Sequence, residues 1–325
     1  QNTKVSRIIN FSDLRFQLFG DAISPAALIV FGEKTELYQP YQIEYWTPKA
    51  DKNLQIKRNI TITNSDKLLV NSNEVMKDEF SLKRRLWMRS VDSKLFNYLA
   101  SFSRLGDHIV SYTKSKNQPG KWKIGQGFQP FNNGRSAKVP HISNEVEKHP
   151  YIPVKELDKI YQGTIEGGPW QSTEFRRKGF EESYGQSKIL VSRGVGTSMM
   201  RLQAAYCPQA STFQHILNAI IFPKKDENKA KVLTAYLNSK LAIWFAFHGT
   251  ASFGSSRPEV SQIELLKLPF PFLVEQGCDK NGIVEKEIIT LMESYRKTNS
   301  ELFKPTDYVE STLLKLDVLI YKYFG

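Results

Sequence analysis

Two short stretches of this sequence concentrate the residue types that grip a nucleic acid. In Arg193-Gly-Val-Gly-Thr197-Ser198-Met-Met-Arg201, glycines and small hydroxyls lie between two arginines. In His248-Gly-Thr250-Ala-Ser252-Phe-Gly-Ser255-Ser256-Arg257-Pro, small hydroxyl residues lead to one arginine. Glycine lets a backbone come close, hydroxyls and amides bond phosphate oxygens, and an arginine fork matches the edge of guanine. The competing reading of each is an ordinary solvent loop with a surface arginine. From Arg104 to Lys138 there are seven Lys/Arg (104, 114, 116, 121, 123, 135 and 138) against one acid, Asp107. Lysines are point charges without fork geometry, so Lys121, Lys123 and Lys138, with Arg135, read as a phosphate-steering surface. Lys83, Arg84, Arg85 and Arg89 either line a cleft or form a solvated helix face.

Other chemistries find little footing. The histidines at 108, 141, 149, 215 and 248 are scattered, and no Cys-x-x-Cys or His-x-x-x-His pair exists, so no metal site is expected. Gly194-Val-Gly196-Thr-Ser falls short of a phosphate-cradling fingerprint. The balance of 45 Lys+Arg against 33 Asp+Glu leaves a net charge of +12, which favours a polyanionic partner. Two cysteines cannot build a disulfide framework and suit a reducing compartment. No apolar run is long enough to span a membrane and the first residues lack a signal-peptide layout, so a cytoplasmic, membrane-free setting is the expectation.

The elements that must position these residues change character along the chain. Residues 1 to about 75 read as β-rich. Ala26–Phe31 is a continuous apolar run expected to be buried on both faces, and Tyr41–Trp46 alternates as an edge or hairpin strand would. Asp78–Leu99 is predicted to be helical, with Leu82, Leu86, Leu95 and Leu99 facing inward. A basic, glycine-punctuated, β-rich region follows to about residue 225, with strands at Lys188–Ser192, Leu202–Tyr206 and His215–Phe222. Lys229–Phe247 is a helix candidate, and two more helices close the chain, the last capped by Asp307. The fold class is α+β: strands, a β-rich insert and terminal helices.

Asn10-Phe-Ser-Asp-Leu-Arg-Phe-Gln-Leu-Phe19-Gly, followed by the strand at Ala26–Phe31, resembles the late part of the catalytic domain in adenine-specific DNA methyltransferases of type II restriction–modification systems. The resemblance implies that Phe19 stacks on a flipped-out target base, an aromatic face replacing the stacking lost from the duplex. Residues 101–325 are similar to the TaqI-like C-terminal specificity domain. The likeness rests on Ile124-Gly-Gln-Gly-Phe128, Pro150-Tyr-Ile-Pro153, Lys188–Arg193, Ala205-Tyr206, Tyr236-Leu-Asn-Ser-Lys240, Leu268-Pro-Phe-Pro271 and Leu316-Asp-Val-Leu-Ile-Tyr321.

The family's Asn/Asp-Pro-Pro-Tyr/Phe motif occurs nowhere, nor does a glycine-rich cofactor loop. The resemblance therefore implies a methyltransferase C-terminal portion in residues 1–100, a DNA target-recognition domain in 101–275 and a helical segment in 276–325. No cofactor is expected in this chain. S-adenosylmethionine, and an N-terminal methylase region with or without a nuclease, are implied for the intact enzyme, with double-stranded DNA as the partner. Two alternatives stay open: a non-catalytic specificity subunit of a multisubunit system, and an RNA-binding module, which would prefer RNA or single strands.

Overall fold

The computed structural model describes residues 3–20, 25–33, 39–117, 120–131, 140–163, 165, 167–195, 200–250, 253, 259–272, 278–279, 281–298 and 306–325. They fall into two compact units, Gln1–Leu95 with His248–Arg257, and Phe96–Phe247 with Pro258–Gly325.

In the first unit, β1 (Thr3–Asn10) leads through a turn to the short helix α1 (Arg15–Phe19), then to β2 (Ala27–Glu33) and β3 (Gln42–Trp46). Helix α2 (Lys52–Lys57), β4 (Lys67–Asn71), α3 (Ser72–Lys77) and α4 (Ser81–Trp87) follow. The sheet order is β2-β1-β3-β4, with only β1 and β3 parallel. Both strand expectations need correction. The run from Ala27 is a strand, but it lies at the sheet edge and every residue of it is exposed. The Tyr41–Trp46 segment is interior, paired on both sides, and its alternation buries Ile43 and Tyr45. The helix expected from Asp78 to Leu99 is two helices, α4 and α5 (Ser90–Ala100). The Asp92 carboxylate accepts the Arg89 backbone N–H at 2.9 Å, which caps a new helix start there. Leu86 and Leu99 are buried as expected, whereas Leu95 is exposed.

The second unit is built on a six-stranded sheet of order β5-β6-β13-β11-β12-β9. Its strands are β5 (Ile109–Ser111), after the one-turn helix α6 (Leu105–His108), β6 (Trp122–Gln126), β9 (Ile160–Tyr161), β11 (Lys188–Ser192), β12 (Ala204–Cys207) and β13 (Leu217–Ile221). All five residues of β11 are buried, as its apolar run between two partner strands requires. A small second sheet, β7-β10-β8, joins β7 (Gln129–Pro130), β10 (Glu174–Arg177) and β8 (His141–Ile142). Phe128, Phe175, Phe180, Tyr184 and Phe213 fill the core with Leu190 and Leu217. Burying each such ring contributes on the order of 2 kcal/mol.

Helices close the unit: α7 (Glu227–Leu237), α8 (Lys240–Gly249), α9 (Gln262–Leu265), α10 (Ile283–Thr298) and α11 (Thr306–Phe324). The helix expected over Lys229–Phe247 is broken at Asn238–Ser239. There Ser239 Oγ donates to Tyr236 O at 2.6 Å and accepts from Ala242 N at 3.2 Å, ending one helix and starting the next. Leu313, Leu316 and Ile320 of α11 face inward at the expected spacing. The architecture is α+β, several sheets followed by terminal helices.

Candidate nucleic-acid interface

The backbone brings four polar side chains into one row on the second unit. Arg177 of β10 sits opposite Gln129 of β7. Next to Gln129, Phe128 O accepts the His215 N–H at 2.8 Å. Beyond His215, Ile216 O accepts the Arg193 N–H at 3.2 Å, and Arg193 O accepts from Val260 N at 2.9 Å. Gln129 and Arg177 lie on strands, whereas His215 falls in a turn before β13 and Arg193 at the bend just past β11.

The local sequence explains why the arginines face outward. Phe175 is anchored in the core, and the register of β10 on β7 shifts between Phe175 and Arg177. A bulge of this kind re-aims side chains, and here both Arg176 and Arg177 are exposed. Behind them the chain turns at Gly179, whose φ is +75°, and passes against Gly127 so closely that a Cβ on Gly179 would lie 2.4 Å from the Gly127 carbonyl carbon. A Cβ on Gly127 would come within 2.0 Å of Phe213 O. Glycine at both places is a packing requirement.

Charge converges on His215. Burial lowers the pKa of its imidazole, and the Arg177 and Arg193 guanidiniums, with a smaller push from Arg176, lower it further. Both effects favour the uncharged imidazole. Arg193 Nη2 lies 3.3 Å from Glu259, which orients one end of the fork. Gln129 Oε1, Arg193 Nε and His215 Nδ1 are closed off from solvent and have no hydrogen-bond partner among the described residues.

The residues singled out from the sequence disperse. Arg193 belongs to the row. Arg201 does not: it is 7% exposed, and its guanidinium forks onto Asp317 of α11 at 2.8 and 2.5 Å while Nη1 also donates to Asn238 O at 2.8 Å. Its expected role on DNA is corrected to that of an internal clamp. Lys123 lies near the start of β6 and Lys121 just before it, whereas Gln129 lies on β7. Lys121 Nζ donates to Asp107 O at 3.0 Å and Lys123 pairs with Glu182 at 2.7 Å.

Phe19 ends α1 with 54% of its surface exposed, just before Gly20 at φ +59°. Arg84 and Arg85 pair with Asp78 and Glu74, and Lys83 Nζ donates to the carbonyls of Thr250 and Phe253 at 2.7 and 2.5 Å. Thr197, Ser198, Ser252, Ser255, Ser256, Arg257, Arg135 and Lys138 lie outside the described residues. Arg176, Arg177, Gln129 and His215 were missed by the sequence reading; the Arg176-Arg177-Lys178-Gly179 run was the available signal.

The motifs with a family resemblance have structural explanations. Asn238 brackets the backbone of Ala204, accepting its N–H at 3.3 Å and donating to its carbonyl at 2.6 Å, and Lys240 N donates to Asp317 at 2.8 Å. Leu-Asn-Ser-Lys and Leu316-Asp317 thus meet at one buried junction with Arg201. Leu268 O accepts from Leu105 N at 2.9 Å, and Phe270 N donates to Ser103 O at 2.8 Å, which seats Leu-Pro-Phe-Pro on the start of α6.

Residues 155–270 match the family model of the TaqI-like C-terminal specificity domain, so the resemblance to this domain of restriction–modification systems holds over that stretch. Solved structures similar to the chain include the type IIG restriction endonuclease BpuSI, at 11% identity and a TM-score of 0.35, covering 98% of this chain and 44% of that one. The HsdS subunit from Thermoanaerobacter tengcongensis is another, at 12% identity and a TM-score of 0.28, covering 82% of this chain and 63% of that one. The chain thus spans less than two thirds of either. No curated protein matches it.

Proposed function

We propose that this chain selects a short sequence in double-stranded DNA, as the C-terminal part of an S-adenosylmethionine-dependent, adenine-specific DNA methyltransferase of a restriction–modification system. One observation carries the reading: Arg176, Arg177, His215 and Arg193 gather on one face, and all four fall within the stretch that matches the specificity domain. Clustered arginines supply both phosphate attraction and a fork for base edges.

On this reading residues 1–100 belong with the methylase part, 101–275 recognise the target, and 276–325 brace the recognition part. Phe19 presents an exposed ring at the end of a short helix, as a group that stacks on an extruded base must. The described residues do not make an S-adenosylmethionine site. In the first unit β1 enters α1 through Phe11–Leu14, with no glycine-rich turn, and the sequence has no Asn/Asp-Pro-Pro-Tyr/Phe motif. Methyl transfer accordingly falls to a methylase region beyond these residues.

Fluorescence anisotropy of the chain on pooled random-core duplexes, at several salt concentrations, tests the proposal. Affinity should fall as salt rises, the slope of log K against log salt steepening by about −0.9 for each phosphate the chain neutralises. Selection should enrich one short motif containing adenine. Absence of duplex binding at low salt by a folded chain, or a clear preference for RNA, would overturn it.

A further inference from the structure

We infer that Arg177, Gln129, His215 and Arg193 form the row that reads base identity, with the two arginines on guanine edges. The inference rests on the duplex-DNA reading and deepens it by assigning the reading groups.

Two features of the row separate it from an ordinary basic surface. The first is chemical variety: two arginines, an amide and an imidazole lie on adjacent backbone segments. Phosphate attraction needs only charge, whereas Arg beside Gln matches the major-groove edges of guanine and adenine, each in bidentate fashion. The second is rigidity. The Gly127–Gly179 crossing and the Phe128, Phe175 and Phe213 core stand directly behind the row, and Glu259 holds one end of Arg193. Groups that discriminate bases must be held in place, and the packing behind the row does so.

Lys121 and Lys123, toward the far end of β6 and tied to Asp107 O and Glu182, lie away from the row.

The test uses the full chain and the random-core duplex pool. Arg177→Lys and Arg193→Lys keep the charge and remove the fork, and Gln129→Ala removes the amide. Folding is checked by circular dichroism and a urea midpoint. The expected result is that the unmodified chain enriches a motif containing G·C pairs. Each Arg→Lys variant should then lose on the order of 10- to 100-fold discrimination at one guanine. Its affinity for unrelated duplex and its salt slope should stay within about twofold, since the phosphate term depends on charge. An unchanged motif in both Arg→Lys variants would overturn the inference while leaving the proposed function standing. Duplex binding by the unmodified chain without any enrichment would also overturn it, leaving only phosphate contact. No duplex binding by the unmodified chain removes both readings together.

Discussion

Two arginines eight positions apart in one glycine-rich stretch have opposite fates, and the difference lies in a residue distant in sequence. Arg193 stays on the surface, while Arg201 is drawn inward by Asp317, 116 positions away. Local sequence has no means of announcing that pairing, which is why both read alike. A buried ion pair is strongly destabilising when only one partner is removed, so Asp317→Ala should cost about 3–5 kcal/mol in urea unfolding. Arg201→Met with Asp317→Leu should recover much of that loss. Lys188 is a second buried cation, its ammonium donating to Gln186 O at 2.9 Å and Gln209 O at 3.2 Å. Burial lowers its pKa to about 8, against 10.5 for an ordinary lysine. Below pH 8 the folded chain carries the charge at a cost. Between pH 8 and 10.5 the unfolded chain binds more protons than the folded one, so stability rises with pH through that window. The urea midpoint should therefore climb from pH 7.5 to 9.5, and Lys188→Met should lack that climb. Phe19, by contrast, has more than half of its surface exposed, and Phe19→Ala should change stability by less than about 0.5 kcal/mol.

At the scale of elements, what was legible followed from local pattern. The α+β order, the strand cores at Lys188–Ser192 and Leu217–Ile221, and the inward stripe of α11 all come from periodicity and composition. Helix interruptions were not legible, because a side chain such as Ser239 or Asp92 caps a new start without disturbing the apolar spacing around it. Burial of strands was legible only in part: an apolar run signals a strand, but its place in the sheet depends on pairing, and the run from Ala27 lies at an edge. The row of candidate base readers was hidden for a related reason. Its members come from four segments joined only by pairing between distant strands. That pairing depends on the Gly127–Gly179 crossing. Gly179→Ala combines a left-handed backbone with a 2.4 Å clash, and should lower stability by about 2 kcal/mol or more. Because β10 would have to move, the same substitution should also weaken DNA discrimination, measurable in the duplex selection.

For the whole molecule, a net charge of +12 has a second effect besides drawing in a polyanion: copies of the chain repel one another. That repulsion matters because β2 presents Leu28, Ile29, Val30 and Phe31 at a sheet edge, with Phe31 65% exposed. An apolar strand with an open edge is a template for sticking to another strand. Salt shortens the reach of charge to about 8 Å at 0.15 M, so the electrolyte that strips the protein from DNA also lets its molecules meet. The molecule thus has a colloidal ceiling: light scattering should rise with added salt, at a threshold that falls as protein concentration increases. Phe31→Lys should raise that threshold while leaving the arginine row untouched. How far a salt titration on DNA can be carried is therefore set by one edge strand, and the mutation that blunts this edge widens the usable range.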